Sequence, residues 1–376
     1  MTPSRGRGEK SSDSPLAERV AGAPLAVSDD ALLHFRWDLD KTYLHTEFDT
    51  IRDLWRTFRQ QAKDKKNVAG ARTLLQELLS PEAKGDNPRH VTFISGSPRQ
   101  MRKVLSDKLR IDGVEPDTFI LKPNLSNLLR GRFRAIGDQL GYKLAALIES
   151  RVDGPLVREL LFGDDAEQDA LIYCLYADLL SGVVSADRLA GILAGTALYR
   201  SDIERILEAH SGIKPTTSAR VERIFIRLDR RSPTARFDVF GQRVVPTYNY
   251  FQAAVVLYVD GRLPVTALRR VTSSMRAEGY TVSRLGNSMQ DLVRRGLVDP
   301  TALNTVGEAL ETTPENERAS SAGYVDSFRS ALARLPAERI AVDREPTSID
   351  YERLCAEAMK YKRVRERLLN IGPLRD

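Results

Sequence analysis

Apolar and polar residues alternate over Ala31–Leu39, with Leu33, Phe35, Trp37 and Leu39 in one phase. This predicts a strand that runs into Asp38-Leu39-Asp40-Lys41-Thr42 and carries two carboxylates at its tip. A second apolar, β-branched run, His90–Ile94, breaks at Ser95-Gly96-Ser97-Pro98. Ser97 as N-cap, Pro98 at the first helical position and Gln100 at the third predict a capping box, and a helix start of that kind is an anion site. Gly141, Tyr142 and Lys143 are expected to open an amphipathic helix with Leu144, Leu147 and Ile148 on one face. Leu160-Leu161-Phe162 reads as a short strand, followed by the acidic loop Gly163–Asp169 and a helix from Ala170. Strands alternating with helices predict an α/β fold: a three-layer, doubly wound, mostly parallel sheet whose ligands gather at the carboxyl ends of the strands.

Further along, Tyr248, Phe251, Ala254, Val255 and Tyr258 share a helical face that reads as core, and Val265–Glu278 and Ser283–Arg295 read as helices separated by Gly279. The turn ending in Arg294-Arg295-Gly296-Leu297 has the outline of a DNA-reading helix pair, but a helical accessory domain accounts for the segment better. Lys360, Lys362, Arg363, Arg365 and Arg367 read as a solvated helix face.

Composition narrows the chemistry. The chain has 376 residues, a net charge of +6 and 42% hydrophobic residues, which is enough for two domains with cores. Interleaved charge does not call for nucleic acid but permits an anionic substrate. The most apolar region, Leu171–Gly195, contains Asp178, Asp187 and Arg188, so no transmembrane segment is expected. Met1–Ser14 is polar and basic, and Glu18 and Arg19 break the apolar run that a signal peptide needs next, so no export signal is expected. Scarce cysteine, Cys174 and Cys355 alone, fits a reducing compartment, and a cytoplasmic location is expected. The four histidines are not spaced as zinc ligands, and P-loop, dinucleotide and serine-elbow patterns are missing. Carboxylate chemistry is what the sequence leaves.

The order Asp38-x-Asp40-x-Thr42, an apolar strand ending in Ser95, then Lys143, then Gly163-Asp164 with Asp169 five residues on, resembles the haloacid-dehalogenase-like phosphatase superfamily. Within it, Ile94–Met101, Phe119–Lys122 and Gly163–Tyr173 are similar to the catalytic domain of actin-patch-type phosphatidate phosphatase, and Arg223–Asp229 is similar to that domain's last strand. The resemblance implies a phosphatase domain over 29–232; the composition reads residues 1–28 as a disordered basic tail, and the helical patterning reads 233–376 as a helical accessory domain. The phosphatase domain would carry a cap-like helical insertion at 43–89 and another insertion at about 184–212. In the first insertion Ile51, Leu54, Trp55 and Phe58 lie at helical spacing, and the stretch Phe48–Leu79 reads as two helices, either packed or acting as a cap. Lys122, Arg130, Arg132 and Arg134 occupy a second insertion point, where they could meet an anionic headgroup or form a solvated edge.

The resemblance also implies roles. Asp38 would attack phosphorus, Asp40 would serve as general acid and base, and Thr42 would brace the loop. Mg2+ would be held by Asp38 and Asp164, by the Asp40 carbonyl, and by Asp169 as a ligand or a support, with Asp165 the weaker candidate. Ser95, the Gly96 N–H and Lys143 would hold phosphoryl oxygens. The expected function is Mg2+-dependent phosphomonoester hydrolysis through an aspartyl-phosphate, on a phosphorylated small molecule or lipid headgroup such as phosphatidate. The competing reading is a non-catalytic scaffold that binds a phosphorylated or nucleic-acid partner. Lys41 stands where the family usually has an acidic residue, and His34 and Arg36 place polar groups on the second face of an expectedly central strand. The sequence sets no oligomeric state.

Overall fold

Six strands, β1 (Leu32–Asp38), β2 (Arg89–Pro98), β3 (Thr118–Lys122), β4 (Val157–Asp164), β5 (Val221–Arg227) and β6 (Val244–Thr247), form one parallel sheet in the order β3-β2-β1-β4-β5-β6. The structure, a computed structural model, describes residues 32–45, 62–84, 88–122, 135–151, 157–196, 198–214, 220–311, 323–334 and 348–358. Strand order reverses between β1 and β4, so the crevice at their carboxyl ends is where a ligand of such a sheet binds. Asp38 closes β1 and Asp164 closes β4.

Both faces of β1 are buried, as a central parallel strand requires. Its polar positions have internal partners. His34 Nε2 lies 2.8 Å from Thr92 Oγ1. Arg36 donates to Glu159 at 2.7 Å and to Ser150 Oγ at 2.8 Å, and its guanidinium sits 5.3 Å from the Tyr176 ring centroid. Glu159 lies on β4, whereas Ser150 and Tyr176 come from the helical layer, so helices do supply partners on that face.

One face is covered by α1 (Ala71–Leu79) and α2 (Arg102–Ile111), and the opposite face by α3 (Ala135–Glu149), α4 (Asp169–Leu180), α5 (Ala186–Ala194) and α6 (Arg200–Ser211). The chain then adds α7 (Tyr250–Val259), α8 (Val265–Ala277), α9 (Val282–Arg294), α10 (Ala302–Glu311) and α11 (Tyr324–Leu332). These later helices join the hydrophobic cluster that contains Leu33, Phe35 and Trp37 of β1. Phe251, Ala254 and Val255 are fully buried within it, while Tyr248 stays exposed. α1 packs there too, with Leu74, Leu75 and Leu78 buried and Thr73 Oγ1 donating to Ser274 Oγ of α8 at 2.9 Å.

Two local expectations are corrected. The capping box at Ser97 does not form: β2 continues to Pro98, a 3-10 turn spans Arg99–Met101, and α2 starts at Arg102 with no side-chain cap. Gly141 does not open a helix. It lies inside α3, where a Cβ would meet Leu198 Cδ2 at 2.7 Å, so close packing calls for the glycine, and Lys143 is mid-helix. β6, which the sequence reading does not include, contains Pro246, and an edge strand tolerates proline. The tail 1–28, the positions Ile51, Leu54, Trp55 and Phe58, the arginines 130, 132 and 134, and the basic run 360–367 lie outside the described residues.

Candidate active site

The loop after β1 is short and tightly held. Leu39 O accepts from Tyr43 N at 3.1 Å and from Leu44 N at 2.8 Å, which folds residues 39–44 back over the strand end. Lys41 sits at φ 61°, a left-handed conformation that a lysine adopts only at a cost of about 1–2 kcal/mol. Two long-range hydrogen bonds hold it there. Arg227 Nη1 donates to Lys41 O at 2.5 Å, and Tyr250 Oη donates to Thr42 O at 2.8 Å. Trp37, next to the nucleophile candidate, stacks on Phe162 with centroids 4.0 Å apart. Asp38 is therefore anchored from β4, β5 and α7 together.

The polar side chains converge around Asp38 and Lys143. Lys143 Nζ lies 2.9 Å from Asp38 Oδ1 and 2.5 Å from both Asp169 Oδ1 and Glu167 Oε2. Thr42 Oγ1 donates to Asp38 Oδ2 at 3.1 Å. Asp169, first residue of α4, accepts from Asp164 N through its other oxygen at 3.1 Å. Asp164 Oδ1 accepts from Ala166 N at 2.5 Å and Glu167 N at 3.1 Å, while its buried Oδ2 has no hydrogen-bond partner among the described residues. Asp40 Oδ2 accepts from Ser95 Oγ at 2.7 Å and Ser97 Oγ at 2.8 Å, so Ser97 serves this aspartate instead of a helix end. Gly96 sits at the rim, where an added Cβ would lie 4.0 Å from Glu167 Oε1. Asp165 turns away and accepts from Arg230 N and Ser232 N at 2.8 and 2.9 Å.

Every expected side chain thus meets at the carboxyl ends of the central strands, with Asp165 set apart. Glu167, Ser97, Arg227 and Tyr250 are additions to which the sequence reading gives no part in the site. Only Glu167 carries a local signal, as a further carboxylate in the acidic loop.

Four carboxylates, Asp38, Asp164, Glu167 and Asp169, face one ammonium. Burial, with repulsion from neighbouring carboxylates adding to it, pushes Asp38 and Asp164 well above the ordinary carboxylate range against the pull of Lys143, and burial raises Asp169 despite the same pull. Burial also raises Asp40, against the hydrogen bonds from Ser95 and Ser97. Burial would depress Lys143, but Asp169, Asp38 and Glu167 outweigh it and hold its pKa well above the usual value. The arrangement lacks positive charge. Asp38, Asp164 and Asp169 each offer an oxygen, all within 4.8 Å of one another. Their all-oxygen donor set and the orphaned Asp164 Oδ2 fit a hard divalent cation.

Residues 37–186 match the family model described as phosphatidate phosphatase APP1, catalytic domain. Over this stretch the chain is similar to the catalytic domain of that family. The matched residues run from Trp37 past Asp38, Asp40, Thr42, Ser95, Gly96, Lys143, Asp164 and Asp169, and the family marks the domain as that of a phosphatase. Its haloacid-dehalogenase-like ancestry agrees with the doubly wound parallel sheet observed here. Arg227 and Tyr250 lie beyond the matched stretch, yet both hold the loop after β1. No curated protein and no solved structure matches the chain. Among the described residues no helix is long and apolar enough to cross a membrane.

Gly163 gives this site a sharp test. A Cβ at Gly163 would meet Asp169 Oδ2 at 2.4 Å and Asp169 Cβ at 2.6 Å, and Asp169 is already pinned by Lys143 and Asp164 N. Gly163→Ala should therefore displace Asp169. A stability loss of about 2 kcal/mol and a fall in affinity for a divalent cation of about tenfold to a hundredfold are expected, by denaturant titration and calorimetry. Unchanged cation binding would show that Asp169 is not a ligand.

Proposed function

We propose that the protein is a Mg2+-dependent phosphomonoester hydrolase that works through an aspartyl-phosphate on Asp38, with phosphatidate or another small phosphomonoester as substrate. The observation that carries this reading is the convergence of Asp38, Asp164 and Asp169 beside a separately held Asp40 at the sheet switch point. Asp38, Asp164, the Asp40 carbonyl and Asp169 would hold Mg2+. When bound, the cation offsets the charge of the transferring phosphoryl group.

The rest is the work of the chain's own side chains. Thr42 fixes one oxygen of Asp38 and Lys143 orients the other, leaving the carboxylate set to attack phosphorus in line. As the Asp38–phosphorus bond forms, the bond from phosphorus to the ester oxygen breaks and Asp40 gives that oxygen a proton. Water then attacks phosphorus, Asp40 takes the water's proton, and Asp38 leaves with inorganic phosphate released. Burial raises the Asp40 carboxyl, which suits a group that must begin protonated. Ser95 and Ser97 fix its rotamer.

The test is phosphate release from phosphatidate in vesicles and from a soluble aryl phosphate, each with Mg2+ and with chelator. Mg2+-dependent release from vesicle substrate is the expected result. Release only from the soluble ester would move the substrate away from lipid, and release unaffected by chelator would contradict the metal requirement.

A further inference from the structure

Lys65 comes directly after the 3-10 turn Ala62–Asp64, where the chain returns to pair with the loop after β1. Val68 N donates to Tyr43 O at 3.0 Å, His45 N donates to Lys66 O at 2.8 Å, and Leu44 pairs with Asn67. This pairing brings Lys65 within the electrostatic reach of Asp40. The side chain is only 6% exposed, and its Nζ has no hydrogen-bond partner among the described residues. An ammonium carries three donors, and leaving them unmade inside a protein is costly unless a ligand completes them.

Neighbouring lysines show the contrast. Lys108 is also buried, but donates to Asp112 and Asn67, each at 2.6 Å. Lys143, the expected phosphate holder, is committed to Asp38, Glu167 and Asp169. The hydroxyls of Ser95 and Ser97 are committed to Asp40. Lys65 thus has donors to spare beside the aspartate that handles the ester oxygen. Asp38, Asp164 and Asp169 are buried, whereas Asp40 is half-buried, so this is the more open side of the site.

We propose that Lys65 is a substrate-contacting residue whose ammonium donates to phosphoester oxygens on the leaving-group side of the site, next to Asp40. This assignment rests on the phosphomonoesterase reading and adds a phosphate contact from outside the motifs that identify it. The chemistry it recognises is the anionic oxygen of a phosphate or phosphomonoester.

Lys65→Met and Lys65→Arg, compared with the wild type, test it with two readouts: calorimetric binding of inorganic phosphate in the presence of Mg2+, and steady-state kinetics on an aryl phosphate. Lys65→Met should weaken phosphate binding and raise KM about tenfold to a hundredfold, the effect of one charge-assisted hydrogen bond. Its melting temperature should hold or rise, because an apolar replacement removes an unpaired buried charge. Lys65→Arg should keep part of the phosphate affinity. A Lys65→Met protein with unchanged phosphate affinity and KM overturns the proposal, as does weakened binding that appears only with a lowered melting temperature. A wild type that neither binds phosphate nor turns over would defeat the phosphomonoesterase reading itself, and this assignment with it.

Discussion

Lys143→Met is expected to destabilise the metal-free protein by about 3–5 kcal/mol, the usual result of removing one partner from a buried ionic cluster. Lys143 is 1% exposed and is the ammonium shared by Asp38, Glu167 and Asp169. Without it, carboxylates already pushed upward by burial and mutual repulsion have less reason to ionise in the folded state. Their folded pKa values then lie further above the unfolded ones, so between the two the folded state holds protons that the unfolded state has released. The deficit should therefore grow as pH rises above about 4 and shrink on acidification. Mg2+ should recover part of it, because a cation that binds only the folded state adds stability with its concentration. Denaturant titrations at several pH values, with and without Mg2+, check this. A deficit that neither shrinks with acid nor responds to Mg2+ would mean that Lys143 acts through packing rather than charge.

Asp38→Asn should separate function from stability. The amide keeps the shape of the carboxylate but cannot form an acyl-phosphate, and turnover should fall by about 10,000-fold or more. Asp38 also contributes to a buried excess of negative charge, and burial pushes its carboxyl well above the ordinary range. Removing that charge relieves repulsion on Asp164 and Asp169, so the metal-free melting temperature should stay level or rise. The stabilisation that Mg2+ gives the wild type should diminish in the mutant. A mutant that loses both activity and metal-free stability would instead assign Asp38 a structural part.

The line between what the sequence reveals and what it hides is set by the range of the interactions. Asp38, Asp40, Thr42, Ser95, Asp164 and Asp169 stand at or near ends of elements that local periodicity marks, the parallel sheet brings those ends together, and Lys143 reaches them from the middle of α3. Ser97 misleads because a serine before a proline satisfies a helix-cap pattern, whereas here its hydroxyl finds a carboxylate 57 positions away in sequence. Gly141 reads as punctuation until the packing of Leu198 against it is seen. Arg227 and Tyr250 reach the loop after β1 from positions 186 and 208 residues distant, which no local pattern reports. Helices α7 to α9 are legible as helices, and Phe251, Ala254 and Val255 as core, but not that this core is the one beneath β1.

These long-range contacts bear on how the site is kept. The family match ends at residue 186, while the φ 61° turn at Lys41 is held by Arg227 of β5 and its neighbour Thr42 by Tyr250 of α7. The helical segment is thus part of what positions the nucleophile candidate.

The central claim is that Asp38 takes the phosphoryl group. The measurement that bears on it most directly is borohydride trapping during turnover of an aryl phosphate, with peptide mass spectrometry to locate the product. An acyl-phosphate is reduced to an alcohol, so the account predicts reduction of the side chain at position 38 in the wild type, dependent on Mg2+ and lost in Asp38→Asn. Reduction at another carboxylate, or steady turnover with position 38 unmodified, would contradict it.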